Sequence, residues 1–167
     1  MSVELILVRH AIAFERNRER WPDDRERPLT PAGKEKFRRA ARGLSKWLNK
    51  PTRLITSPLV RARETANLLT ASARWPKATE RSELAPEVEP SKVLSMLRTQ
   101  RAKRIALVGH EPALSALASF CVAGAGTSVA IEMKKGGVAR IRFEGDVRPG
   151  KGILVALLPP RALRAIR

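Results

Sequence analysis

Val3 to Val8 is a short run, apolar except at Glu4 and rich in branched side chains, that breaks off at Arg9-His10. Apolar residues at successive positions, instead of alternate ones, are what a strand needs when both of its faces are covered. One such strand therefore commits the chain to helices packed on either side of a sheet. Two more short runs have the same character, Leu54 to Thr56 and Arg104 to Val108. Each leads toward a segment with helical spacing, so the pattern is strand and helix in alternation.

The first helix opens at Thr30-Pro31, with Thr as N-cap and Pro at the first helical position. Phe37, Ala40, Ala41, Leu44, Trp47 and Leu48 then recur at three- and four-residue spacing, which makes one apolar stripe between Arg and Lys, ending at Pro51. A second helix follows Ser57-Pro58 and runs to about Leu69. A third is marked by Val93, Leu94 and Leu97, and a fourth follows Pro112 to about Cys121. Between them, Ala13 to Pro28 is crowded with charge and reads as a surface loop. The last third changes character: Val129 to Met133, Val138 to Phe143 and Ile153 to Leu158 read as strands without helices between them. The expected fold is α/β, a three-layer α/β/α sandwich whose central sheet is mostly parallel with antiparallel C-terminal strands. At 167 residues it is expected to be one domain, 1–167.

The formal charge of +17 points to anionic partners. It is diffuse: residues 1–50 carry 13 basic and 7 acidic side chains, 51–110 carry 11 and 5, and 111–167 carry 9 and 4. No basic tail is present, and with four Phe, three Trp and no Tyr there are few rings on which bases could stack, which argues against nucleic acid. The single Cys121 lies in an apolar run and reads as a buried, inert thiol. Nothing at the N-terminus has the form of a signal peptide or membrane span, so the expected compartment is the cytoplasm.

In an open α/β sheet, ligands bind beyond the carboxyl ends of the strands. Those ends deliver Arg9 and His10, then Ser57 with Arg61 one turn into its helix, then His110. The chain has only two histidines, and each follows a buried strand. Taken singly, Ser57 is more economically a helix cap than a nucleophile, and Arg61 or Arg63 a solvated helix residue. Converging together, two imidazoles and two guanidiniums call for an anion. Arg forks match phosphate oxygens, and an unprotonated imidazole beside them is a nucleophile toward phosphorus. With no third His, one apolar Cys and no paired carboxylates on a helix, a metal site and a cofactor are not expected. These residues suit metal-free phosphoryl transfer to His, with Arg supplying charge stabilisation.

Four segments, Leu7-Val8-Arg9-His10-Ala11, Arg27-Pro28-Leu29-Thr30-Pro31-Ala32-Gly33, Ser57 to Ala66 and Val108-Gly109-His110-Glu111-Pro112, resemble the histidine phosphatase superfamily in order and spacing. The short length and the RPLTPAG segment are similar to its SixA-type phosphohistidine phosphatase branch, as is Lys134 to Ala139. The resemblance implies that His10 is the nucleophile, that Arg9 and Arg61 hold phosphoryl oxygens, and that His110 donates to the phosphoryl group. Ala11 stands where glycine is usual, which is tolerated if φ is negative there. Larger relatives carry an acidic proton donor in an inserted segment that this chain lacks. Glu83 is the preferred candidate, after a possible short strand, and is expected to touch substrate with Arg9 and Arg61; Glu15, Asp23 and Asp24 are the others.

The expected function is a metal-independent phosphatase working through a phosphohistidine enzyme, on protein phosphohistidine. Alternatives are a small-molecule phosphomonoester phosphatase and a noncatalytic phosphate or nucleic-acid binding module. The expected partner is a phosphorylated protein or small phosphorylated substrate, with no membrane, and a monomer is favoured.

Overall fold

The computed structural model describes residues 2–167. Its six strands are β1 (Val3–Arg9), β2 (Arg53–Thr56), β3 (Thr79–Glu80), β4 (Arg104–Gly109), β5 (Val138–Phe143) and β6 (Gly152–Leu158). The helices are α1 (Pro31–Trp47), α2 (Val60–Ala73), α3 (Pro90–Arg98), α4 (Ala113–Ala123) and α5 (Pro160–Ala165). One sheet runs in the order β3-β2-β4-β1-β5-β6, so the first strand of the chain is an inner one. β1, β4, β2 and β3 are mutually parallel neighbours; β5 joins β1 antiparallel and β6 joins β5 antiparallel. This is the anticipated α/β arrangement.

The apolar run of β1 is explained by its two faces. Ile6 and Val8 pack with Phe37, Ala40, Leu44 and Leu69 of α1 and α2, whereas Leu5 and Leu7 pack with Leu94, Leu97, Leu114 and Leu117 of α3 and α4. Burying a Leu or Ile side chain contributes about 1.5–3 kcal/mol, so the two cores together fix β1 firmly. Thr30 caps α1 as expected: its Oγ1 accepts from the Gly33 N–H at 2.9 Å. Gly33 itself is required by a close approach. A Cβ there would lie 2.2 Å from the carbonyl oxygen of Ile12, which accepts a backbone bond from Thr30.

Three differences from the sequence reading have physical reasons. Val129 to Met133 is not a strand but part of the α4–β5 connection. Side chains claim its backbone groups: the Val129 N–H donates to Ser119 Oγ at 3.0 Å, and the Met133 carbonyl accepts from Arg9 at 2.7 Å. α5 was not foreseen, because six residues give too little periodicity; it packs on α1, with Leu163 fully buried. α2 begins at Val60, after an extended Ser57-Pro58-Leu59 segment. Within the Ala13–Pro28 loop, Asp24–Glu26 forms a 3₁₀ turn capped by Asp23, and Ala13 pairs with Leu29.

Candidate active site

Register places the site. β1, β4 and β2 run parallel and end level, Arg9 beside Gly109 and Thr56 beside Val108. His10 donates its backbone N–H to Gly109 (3.0 Å) and Ser57 donates to Val108 (3.0 Å), so the chain leaves all three strands at one edge. From the antiparallel side, the Gly136 N–H reaches the carbonyls of Arg9 and His10 at 3.1 and 3.0 Å. Thr65 Oγ1 accepts from the Ala11 N–H at 3.0 Å and donates to the Arg61 carbonyl at 2.7 Å, tying the loop after β1 to α2. Ala11 is not among the residues with positive φ, so a methyl group in place of glycine meets no backbone penalty.

Arg9, His10, Arg61 and His110 meet in a cleft of about 560 Å³, which Arg27, Asp24, Arg16, Arg25 and Lys135 also line. The rings of His10 and His110 are 5.3 Å apart. His10 is 6% exposed, and its Nδ1 lies 2.7 Å from the Ala11 carbonyl oxygen. A carbonyl can only accept, so Nδ1 carries the proton, which leaves Nε2 with a free lone pair in the neutral ring. Burial pushes the His10 pKa down to about 3, helped by the cations of Arg61, Arg9 and Arg27 and opposed by the bond to Ala11. His110 is also lowered to about 3, by burial first and then by His10 and Arg61. Its Nε2 is 2.8 Å from Ser57 Oγ, which accepts from the Leu59 N–H at 3.3 Å and donates its own proton to Nε2 in the tautomer that carries the ring proton on Nδ1. Ser57 does not cap α2 as the sequence suggests, since Leu59 holds the N-cap position and no side chain bonds there; its hydroxyl instead closes a short turn with Leu59 and partners His110.

Arg61 is held by Asp24: Nη1 donates to the Asp24 backbone carbonyl (2.8 Å) and Nη2 lies 3.2 Å from Oδ2. Arg27 donates from Nε to Asp24 Oδ1 (2.7 Å) and from Nη1 to the Phe14 carbonyl (2.6 Å). The Arg27 hydrogen bond, with the charges of Arg61, Arg27 and Arg16, holds the Asp24 carboxyl below its ordinary range against the effect of burial. Three buried nitrogens here have no partner: Arg9 Nε, Arg61 Nε and His110 Nδ1. Buried polar groups without partners are uncommon, and three around one cleft point to an acceptor-rich ligand.

Glu83 is a correction. It is half-buried in a 3₁₀ turn, 3.4 Å from the Ser82 hydroxyl, lining a separate hollow with Arg81, Lys92 and Met96. The short strand before it exists as β3, but that strand ends at the sheet edge and turns Glu83 away from the cleft. Asp23 is spent capping the turn, accepting from the Arg25 N–H at 2.9 Å. Glu15, Asp24, Glu87 and Glu111 are the carboxylates that line the cleft. Sequence reasoning missed Arg27 and Asp24 as a unit; their three-residue spacing was the available signal. Burial raises the Cys121 thiol to about 12, so it is inert as expected. Among the described residues no group of three or more His, Cys, Asp or Glu could hold a metal, and no helix is long and apolar enough to cross a membrane.

The imidazole shifts carry a pH prediction for the ligand-free protein. Ring-carbon NMR signals of His10 and His110 should not titrate between pH 5 and 8. The unfolded chain binds imidazole protons near the ordinary value of 6.5, whereas the folded chain binds them only near 3. Stability contributed by these groups is therefore complete above pH 6.5 and is lost as pH falls from there toward 3. Denaturant midpoints measured across that interval check the sign; a stability maximum at pH 5 contradicts it.

A family model described as the histidine phosphatase superfamily (branch 1) matches residues 5–85. An uncharacterized protein of Picosynechococcus sp. is 32% identical over 143 residues, covering 84% of this chain and 85% of that protein. The solved structure of the protein histidine phosphatase SixA complexed with tungstate superposes with a TM-score of 0.83 at 21% identity, covering 96% of this chain and 99% of that one. A structure assigned as phosphohistidine phosphatase SixA from Agrobacterium tumefaciens gives 0.78 at 20% identity, with 95% and 98% covered. A phosphoserine phosphatase mutant from Entamoeba histolytica, in complex with phosphoserine, gives 0.68 at 14% identity, with 95% and 98% covered.

Proposed function

The chain belongs to the histidine phosphatase superfamily, a phosphatase with the fold of the SixA-type structures, and from that premise we propose that it removes phosphate from phosphohistidine on a protein. The carrying observation is the neutral His10, with Nε2 free, beside three buried nitrogens that lack acceptors. Phosphoryl oxygens supply those acceptors, and the active unit is the single domain 1–167.

In the first step the Nε2 lone pair of His10 attacks phosphorus and the bond from phosphorus to the substrate imidazole breaks, its electrons staying on the departing nitrogen. The other ring nitrogen of that imidazole carries a proton, so the leaving group departs neutral without an acid from the enzyme. Arg9, Arg61 and His110 stabilise the transferring group in a site where fixed charges act without reorganisation. In the second step water attacks phosphorus, the bond to Nε2 breaks, and inorganic phosphate leaves with His10 restored. The route needs no metal, so chelators leave it unaffected.

The leaving group provides the test. Expelling an alkoxide needs a proton donor, a contribution of roughly 10² to 10⁴ in rate. Of the four carboxylates lining the cleft, Asp24 is tied to two guanidiniums in the ligand-free cleft, Glu111 to Ser115 and Glu87 to Arg25, while Glu15 is exposed at the rim. With no buried carboxylate free to serve as a dedicated donor among the described residues, phosphoramidates and aryl phosphates should exceed alkyl phosphates in kcat/KM by at least about 10². Equal kcat/KM for the two classes overturns the phosphohistidine reading and favours a phosphomonoester substrate.

A further inference from the structure

We propose that the Asp24 carboxylate is an intramolecular placeholder for the phosphoryl group, occupying the Arg27–Arg61 pair in the empty cleft and swinging out to solvent when the phosphoryl group enters. The inference rests on the cleft being the phosphoryl site, and adds to that reading a residue that sets how tightly oxyanions are held.

The geometry separates what must stay from what can leave. Arg61 is almost fully enclosed, its side chain 5% exposed, whereas the side chain of Asp24 is 44% exposed on the rim. Of the pair, only the carboxylate has a path to water. Arg27 takes Oδ1 with Nε at 2.7 Å and reaches Oδ2 with Nη2 at 3.4 Å, while Arg61 Nη2 lies 3.2 Å from Oδ2, so the two forks share one anionic group as they would share the oxygens of a tetrahedral anion. When the side chain rotates away, Arg61 keeps its 2.8 Å bond to the Asp24 backbone carbonyl and Arg27 keeps its 2.6 Å bond to the Phe14 carbonyl. Both guanidiniums thus remain positioned while the nitrogens facing the carboxylate become free. The turn bearing Asp24 is otherwise tied across the cleft only by the exposed Arg25–Glu87 pair, a contact of small energy.

Two consequences follow. Without Asp24 or a bound anion, Arg27 and Arg61 would face each other with no carboxylate between them; the carboxylate offsets that repulsion and keeps the forks ordered. The same carboxylate weakens every oxyanion, including inorganic phosphate, because each must displace it first. Asp24 therefore speeds product release and keeps free phosphate from blocking the nucleophile.

Calorimetric titration of the full chain with inorganic phosphate at pH 8 and with methyl sulfate tests this, alongside turnover of a phosphoramidate. Asp24→Asn keeps an acceptor for Arg27 and removes the charge. It should tighten both ligands about tenfold and by the same factor, since displacement costs the same whatever displaces it; product inhibition should strengthen in parallel. Glu19→Gln, an equal charge change in the same loop away from the cleft, controls for net charge and should tighten neither ligand more than twofold. Asp24→Ala with a melting curve guards against an effect of the amide or of misfolding. A markedly larger gain for dianionic phosphate overturns the proposal, since it means the carboxylate stays and repels. Unchanged or weaker phosphate binding in folded Asp24→Asn and Asp24→Ala, while the wild type binds phosphate and turns over, overturns this inference alone. A wild type that neither binds phosphate nor turns over removes the phosphatase reading and this inference together.

Discussion

Replacing His10 by alanine is expected to lower kcat by roughly 10⁴ or more, because the group proposed to form the covalent bond is removed and His110, the other imidazole, is turned to Ser57 through Nε2. Among the described residues Ser57 is the only hydroxyl bonded to the second histidine, and it is fully buried in the turn before α2. Stability should change little by comparison. His10 lies at the rim of the sheet, its ring bonded only to the Ala11 carbonyl, so the loss is one hydrogen bond and not core volume. Wild type incubated with substrate should carry an acid-labile, alkali-stable phosphoramidate that the variant lacks. Retained turnover in His10→Ala, or an alkali-labile label on Ser57, removes His10 as nucleophile.

Arg61→Lys is expected to cost about 10² to 10³ in kcat/KM, although the charge is conserved. Arg61 serves three partners from one plane: Asp24 takes one proton from each terminal nitrogen, and Nε remains for the ligand. An ammonium has no planar fork and cannot hold the Asp24 backbone carbonyl while presenting further donors to phosphoryl oxygens. It also removes a guanidinium from the Asp24 carboxylate, so the 3₁₀ turn loses its side-chain ion pair with α2. Steady-state kinetics of Arg61→Lys, with and without added Mg²⁺, measure this; recovery to within a few-fold of wild type by either shows that a point charge suffices.

The central strands and the positions of both histidines were legible because each depends on a local pattern. β1 and β4 are apolar on both faces, and such a strand exposes polar residues only where it ends, at Arg9-His10 and at His110. The antiparallel pair β5–β6 was legible from its flanking turns. What was hidden depends on pairings that have no period. Asp24 reaches Arg61 across 37 residues, and Arg9 reaches the Met133 carbonyl across 124. The second contact also explains why Val129 to Met133 looks like a strand and is not one: Met133 is buried like a strand residue, but its carbonyl serves a side chain. Glu83 failed for a related reason. Composition and order placed a carboxylate after a strand, but the side on which that strand joins the sheet decides where the carboxylate faces.

The inner place of β1 has a consequence for the time course of synthesis. β1, which leads into His10, precedes the other five strands in the chain, yet its neighbours are residues 104–109 and 138–143. Contacts so distant in sequence close slowly, and they cannot close before their second partner leaves the ribosome. For most of translation, then, β1 is an apolar segment with both edges open, a template for aggregation that chaperones would recognise. The segment 5–85, which carries the family's signature, contains neither of these neighbours. His10 reaches its place beside Gly109 and Gly136 only when β4 and β5 have been made and close the sheet around β1.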